Sequence, residues 1–350
     1  MNSVARGVED YYTGSGEAPG YWLASGSREL GLEGTVAEDQ LRAVLNGFHP
    51  STGARLMNGK LTKRQRVPGF DLTFRVPKSV SLLHALGDKE ASNEAASAHD
   101  AAVAAALRYL ERQASGARRG KGGKTRIGSD GFIAAAFRHR TSRAGDPLLH
   151  THVLVANLVK GQDGRWGALD ARQLYLQAKT AGYLYQAQLR CELSRRLGVE
   201  WGPVRSGAAD LEGIPRSVIR AFSTRRAEIE AGVGEAQIDD ADATQFAAVM
   251  TRKAKDYNVT PDKLLPEWRE RARKLGLTDD DLEKVLRRSN YRPVTAARRR
   301  SIAAELAGSS GLTAQSSTFT RRDALQGFCS RLEEGAAIEE IEAMADGFLS

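Results

Sequence analysis

The sequence predicts an α+β fold, and three observations carry that expectation. Strand signals are confined to roughly the first 212 residues. Two of those strands are joined by a short loop, as an antiparallel pair is. Beyond Gly213 every periodic segment is helical.

The elements follow in order. Val4, Val8 and Tyr11 fall at i, i+4 and i+7, which predicts a short helix ending near Gly14 and Gly16. A Gly-rich stretch from Thr13 to Gly34 carries Tyr21 and Trp22. Phe70–Val76 alternates apolar and polar residues, as a half-buried strand does. Pro77 stops it, and Lys78–Leu86 resumes as a helix. Ala91–Ala114 is alanine-rich with Val103, Leu107 and Leu110 on one face, which predicts a helix. Gly116–Gly131 is rich in glycine and cations and is expected to be a loop. Phe132–Arg140 and the β-branched His150–Val159 are expected as strands flanking the loop Thr141–Leu148. Asp170 is placed to cap a helix over Ala171–Leu197, with Gln173 at its third position and Gly198 closing it. Helices are then expected over Pro215–Ala231, Asp242–Lys255, Pro261–Leu275 and Asp279–Arg288.

Bulk properties bound the function. A chain of 350 residues, 41% hydrophobic, can build one large domain or two modest ones. The net charge of +8 favours a polyanionic partner, though weakly by itself. There is no run of 18 apolar residues and no apolar signal segment in Met1–Asp10, so membrane insertion and secretion are not expected. Cys191 and Cys329 each stand alone in helix-like stretches and read as reduced thiols of a cytoplasmic protein.

His150 and His152 lie two apart on a predicted strand and share one face. His139 ends the preceding strand, and a hairpin-like connection would bring it opposite them. Three converging imidazoles suit a divalent metal and leave coordination positions open for a substrate oxygen. An H-x-H pair is also what a solvated strand face can show. His49, His84 and His99 lack such company and read as surface or helix residues.

Arg118–Thr125 ends in Gly123-Lys124-Thr125, like the tail of a phosphate-binding loop. That motif needs a glycine where Arg118 stands, and it runs from strand to helix, so an ATPase is rejected. Arg118, Arg119, Lys121 and Lys124 fit a flexible arm lying along DNA, or an ordinary solvated loop. Tyr11 shares a stripe with Val4 and Val8, so it would face the protein body, where core packing is one reading and catalysis another. A tyrosine attacks a phosphate well when a cation and a base assist it.

Together these residues resemble the relaxase domain of TrwC/TraI-type (MobF) conjugative relaxases, within the HUH endonucleases. The most specific stretch is Phe137–Asn157, FRHRTSRAGDPLLHTHVLVAN, similar to the family's metal motif. Asp71–Ser81 (DLTFRVPKSVS) and Tyr21–Leu32 (YWLASGSRELGL) are also similar, and Phe222–Arg226 and Thr251–Lys255 more weakly so. The resemblance implies a central antiparallel β-sheet flanked by helices, with a helical C-terminal part closing over DNA. It implies a relaxase domain over 1–310, with an α/β core over about 1–212 and a helical part over about 213–310. Residues 311–350, acidic from Glu333 on, would be a linker or terminal helix toward a further C-terminal domain.

It also implies roles. Tyr11 matches the catalytic tyrosine, with Tyr12 its neighbour; His139, His150 and His152 match the ligands of one divalent ion (Mg, Mn or Zn). Asp71 matches the acidic residue that orients a ligand histidine or helps deprotonate the tyrosine. Arg225, Arg226, Arg252, Lys253 and Lys255 become candidates for contacts to single-stranded DNA. The implied activity is a strand-specific nick at an origin of transfer through a 5′-phosphotyrosine, with DNA and other transfer-complex proteins as partners. Three departures stand out. Thr13–Pro19 holds no second tyrosine pair; little sequence precedes Tyr11 for a first strand; and no helicase motif follows, as in a stand-alone nickase or a truncated form. A rolling-circle replication initiator shares the chemistry. A non-catalytic DNA-binding module and a water-using metal hydrolase are alternatives of other classes.

Overall fold

A five-stranded antiparallel sheet organises the chain, in the spatial order Asn2–Ser3, Gly69–Arg75, Pro147–Ala156, Ala134–Thr141 and Tyr21–Leu23. The computed structural model describes residues 2–3, 18–57, 67–236, 261–314 and 316–350. The sheet strands are β1 (Asn2–Ser3), β2 (Tyr21–Leu23), β3 (Gly69–Arg75), β6 (Ala134–Thr141) and β7 (Pro147–Ala156). Two ribbons lie outside it: β4 (Ala117–Arg119) with β5 (Thr125–Ile127), and β8 (Val159–Lys160) with β9 (Trp166–Gly167). The three strands expected from the sequence are all present, their ends displaced by no more than three residues. A first strand is present too: among the described residues Asn2 pairs with Asp71 and Ser3 with Phe70.

The helices begin with α1 (Ser25–Arg28), α2 (Glu38–Asn46), α3 (Lys78–Leu86), α4 (Lys89–Ala114) and α5 (Ala171–Leu197). They continue with α6 (Arg216–Ala221), α7 (Thr224–Ala236), α8 (Pro261–Lys274) and α9 (Asp279–Glu283), and then α10 (Ala296–Ala307), α11 (Arg321–Arg331) and α12 (Ile338–Leu349). None of the described helices is long and apolar enough to cross a membrane.

The period-2 alternation of the strands builds two different faces. Leu72, Phe74, Ala134, Ala136, Val153 and Val155 pack with α4 and α5 in the main core. Ala95, Ala98, Ala102 and Ala106 on α4 are wholly buried, and small side chains on both surfaces let helix and sheet approach closely. Burial of Val153 or Val155 contributes about 1.5–3 kcal/mol each. The other face carries Ala135, Phe137 and Leu154. There Trp22 and the α2 residues Leu41, Val44 and Leu45 cover one end of the sheet. The opposite end of that face holds the histidines.

Several expectations are corrected. Asp170 gives α5 no side-chain cap. It pairs with Arg118 (3.4 Å) and Arg126 (3.9 Å) instead. Gly198 does close α5, at φ 60°, where a Cβ would meet Ser289 O at 2.6 Å. Gly116–Gly131 is no loose arm, because β4 and β5 pair within it. Pro215–Ala231 splits at Phe222–Ser223 into α6 and α7, and the helix expected to reach Arg288 ends at Glu283. α1, α2 and α10 were not expected from the sequence pattern. The helices expected around Val4–Tyr11 and Asp242–Lys255 lie outside the described residues.

The C-terminal residues form α11 and the acidic α12, which pack on α5 and bury Phe328, Cys329, Ile338, Ile341 and Met344. Arg190 of α5 is wholly buried and donates to Gly207 O (2.6 Å), Cys329 O (2.8 Å) and Leu332 O (3.2 Å). Three carbonyls thus take its two Nη groups and offset part of the cost of burying the charge, while Nε has no hydrogen-bond partner among the described residues.

Candidate metal centre

Three strands converge on one buried cluster. In the β6–β7 register His139 stands directly opposite His150, and Phe137 opposite His152. β3 flanks the other side of β7, with Thr73 opposite His152 and Arg75 opposite His150. Equal parity puts all these side chains on one face. The three imidazole centroids form a near-equilateral triangle, with sides of 5.3, 5.2 and 5.1 Å. Their nearest nitrogen atoms lie within 4.8 Å of one another, and all three residues are buried.

Neighbours fix the orientation of two rings. His152 Nδ1 lies 2.8 and 2.9 Å from the two Asp71 oxygens, and Thr73 Oγ1 stands 3.3 Å from the same nitrogen. His150 Nδ1 lies 2.9 Å from Leu148 O. A carbonyl or carboxylate oxygen accepts, so Nδ1 donates in both rings. In that tautomer Nε2 carries the lone pair a metal ion needs. The donor set therefore fits a divalent ion: three imidazoles, two with the ligating nitrogen selected by their own hydrogen bonds. Asp71 takes the orienting place behind His152.

The other predicted site residues are placed as follows. Tyr11, Tyr12, Arg252, Lys253 and Lys255 lie outside the described residues. Tyr21 pairs with Ala136 and packs with the main core, on the face away from the histidines; burial pushes its phenol well above the ordinary range. Arg118, Arg119, Lys121 and Lys124 sit on the β4–β5 ribbon. It precedes β6, whereas His139 lies five residues into that strand, about 17 Å along it. The ribbon is therefore remote from the cluster. Arg119 is held by Asp163 (2.8 Å) and by Arg165 O (2.5 Å), so it staples the two ribbons together. Lys121 and Lys124 are exposed at the tip.

Arg225 and Arg226 start α7, whose first residue Thr224 bonds Asp146 in the β6–β7 connection, at the histidine end of the sheet. Arg225 pairs with Glu228 at 3.2 Å and Arg226 with Glu230.

Two features escaped the sequence reading. A cavity of about 870 Å³ opens beside β3, lined by Thr73, Arg75, Lys78, Tyr183, Arg205 and Arg216 among others. Its cations, Arg75, Lys78, Lys179, Arg205, Arg216 and Arg226, are spread over about 150 residues of sequence, which no local pattern connects. Lys78 donates to Pro147 O at 2.6 Å, and burial pushes its ammonium down to about 8. His99, expected at the surface or on a helix, is a wholly buried residue of α4. Its nitrogens meet Tyr185 Oη (2.8 Å) and Thr151 Oγ1 (2.7 Å), directly behind the His150–His152 pair.

Comparison with known proteins gives the same picture. A family model described as TrwC relaxase matches residues 1–275. The multifunctional conjugation proteins TraI of Escherichia coli and of its strain K12 are 34% and 33% identical over 280 residues, 77% of this chain. The chain spans about 15% of their length. The conjugative relaxase TrwC in complex with oriT DNA, in a metal-free structure, superposes with a TM-score of 0.71 at 33% identity. That match covers 79% of this chain and 98% of that one. The metal-bound structure of the same complex gives 0.70 at 32% identity, with the same coverage.

Proposed function

The chain belongs to the TrwC relaxase family, and from that premise we propose that it nicks one DNA strand at an origin of transfer and stays attached to it through Tyr11. The observation that carries this reading is the buried triangle of His139, His150 and His152, with Asp71 behind His152. Three imidazoles suit a borderline first-row ion such as Zn or Mn better than Mg, which prefers oxygen. Bound there, the ion would supply positive charge beside the scissile phosphate and offset the charge that builds up on it.

The chain's own residues do the rest. Tyr11 Oη forms a bond to phosphorus as the bond from phosphorus to the 3′ oxygen breaks. The phenolic proton is lost and the departing 3′ oxygen gains one, leaving a 5′-phosphotyrosine and a free 3′-hydroxyl. Reversal by that hydroxyl rejoins the strand without ATP. Asp71 and Leu148 O hold His152 and His150 in one tautomer, and Tyr12 stands next to the nucleophile as its alternative. Arg225, Arg226, Arg252, Lys253 and Lys255 contact the single strand. Arg118, Lys121 and Lys124 meet a neighbouring duplex or hairpin, while Arg119 chiefly holds the ribbon in shape. A stacked duplex resists the bend that brings a phosphate into a buried site, so the nick site is single-stranded. Residues 1–310 carry the relaxase machinery, with α11 and α12 packed against its α5, and the protein acts in the bacterial cytoplasm with other transfer proteins.

The test is a denaturant-resistant protein–DNA adduct, formed on an oligonucleotide spanning the transfer origin of the protein's own element. Adduct formation that needs a divalent ion and stops with chelator is expected. Cutting without an adduct would mean a water-using hydrolase, and binding without cutting a non-catalytic module.

A further inference from the structure

We propose that Asp146 is a positioning residue for the histidine site: its carboxylate latches the β6–β7 connection, and with it His139 and His150, to the ends of α7 and α8. This rests on the metal reading of that site. Asp146 is buried in the connection, four residues before His150. Its Oδ2 accepts from Thr224 N at 2.8 Å, and its Oδ1 from Thr224 Oγ1 (3.3 Å) and Arg271 Nη1 (3.1 Å). Thr224 opens α7, so the carboxylate sits where the helix leaves N–H groups without intrahelical partners and where its dipole favours an anion. Ser223, the residue placed to cap α7 itself, spends its hydroxyl on Ile219 O at 2.7 Å. Asp146 caps the helix from another element instead.

The second anchor is α8. Arg271 also donates to Ala221 O and stacks 4.5 Å from the Phe222 ring centroid, so its guanidinium is fixed before it meets Asp146. Trp268 Nε1 donates to Gly145 O at 2.9 Å, so α8 holds the connection at two successive residues. Gly145 takes φ 78°, a conformation this turn needs and glycine adopts freely. Within the connection, Ser142 N donates to Asp146 O (2.9 Å) and Asp146 N to Ser142 Oγ (3.1 Å).

The latch matters because the ladder alone leaves this end loose. The β6–β7 register shifts between His139 and Thr141, so the connection begins beyond a bulge. A bulged hairpin can rock, and rocking would move His139 relative to His150. External anchors on the connection remove that freedom.

The experiment compares Asp146→Ala, Asp146→Asn and Arg271→Met with the unmodified full chain and with Asp170→Ala. The last breaks ion pairs of the β4–β5 ribbon at the far end of the sheet. Zinc affinity is measured by calorimetry. Amide exchange across residues 139–150 is measured without metal. The Ala and Met variants are expected to bind zinc about 10-fold more weakly, the low end of the range for loss of a group bonded directly to a ligand, because Asp146 acts through the connection. Their hairpin amides should exchange faster while those of α4 and α5 do not. Asp146→Asn keeps an acceptor for Thr224 and should recover part of the affinity; Asp170→Ala should keep all of it. Unchanged zinc affinity and hairpin exchange in Arg271→Met would overturn the latch, and that variant decides the matter if Asp146→Ala fails to fold. So would an equal loss in Asp170→Ala, which would mean general destabilisation. If the unmodified chain binds no zinc, the metal reading fails instead, and hairpin exchange alone then judges the latch.

Discussion

At the residue scale, the histidine site depends on what stands behind its ligands. Asp71 makes two short contacts to His152 Nδ1 and so selects the nitrogen that faces the metal. Asp71→Ala should weaken metal binding about 10–100-fold without unfolding the chain, as read by calorimetry and circular dichroism. His99 makes a different prediction. Burial pushes its imidazole well below the ordinary value of about 6.5, so the unfolded chain takes up a proton that the folded chain refuses. Its contribution to stability is therefore fully present above about pH 6.5 and drains as the pH falls below that. The melting temperature should drop between pH 7.5 and 5, and drop less steeply in His99→Gln; an identical slope would clear His99 of that role. The convergence of His139, His150 and His152 was legible in the sequence because strand parity places His150 and His152 on one face and the hairpin brings His139 opposite them. His99 was not, because its partners Tyr185 and Thr151 come from elements 86 and 52 residues away.

At the scale of elements, the basic ribbon separates into two roles. Lys121 and Lys124 are free to meet phosphate, whereas Arg119 is spent on Asp163. Each lysine that contacts a phosphate adds about 0.9 to the slope of log affinity against log salt. Lys121→Ala with Lys124→Ala should therefore flatten that slope by roughly 2, measured by fluorescence anisotropy on hairpin DNA. Arg119→Ala should lower the melting temperature and leave the slope nearly unchanged. If instead Arg119→Ala flattens the slope and the lysine pair does not, the roles are reversed. The long strands and α4 were readable because their periodicity extends over seven or more residues. β4 and β5 were not, because three-residue strands among glycines and cations carry no period. What holds them lies further on, Asp163 44 residues after Arg119 and Asp170 52 after Arg118.

At the scale of the whole molecule, the C-terminal helices belong to the body of the protein. α11 and α12 cover α5, and the carbonyls of Cys329 and Leu332 accept from the buried Arg190. Ending the chain at residue 320 would uncover an apolar face and leave that guanidinium short of acceptors. Such a chain should melt several degrees lower by calorimetry, and an unchanged melting temperature would show the helices to be dispensable. Acidic composition hid this packing in the sequence, since the buried stripe of α12 is only Ile338, Ile341, Met344 and Ala345. The antiparallel sheet was legible in part: the β6–β7 pair follows from pattern, whereas the β3–β7 pairing that brings Asp71 to His152 was implied only by the family resemblance. On the proposed mechanism Tyr11 becomes joined to DNA beside the histidine site. Mass spectrometry of the adduct formed on an origin-bearing oligonucleotide tests it most directly. The nucleotide should be found on Tyr11, and Tyr11→Phe should form no adduct while binding the DNA almost normally. A nucleotide mapped to any other residue, or an adduct that persists in Tyr11→Phe, would contradict it.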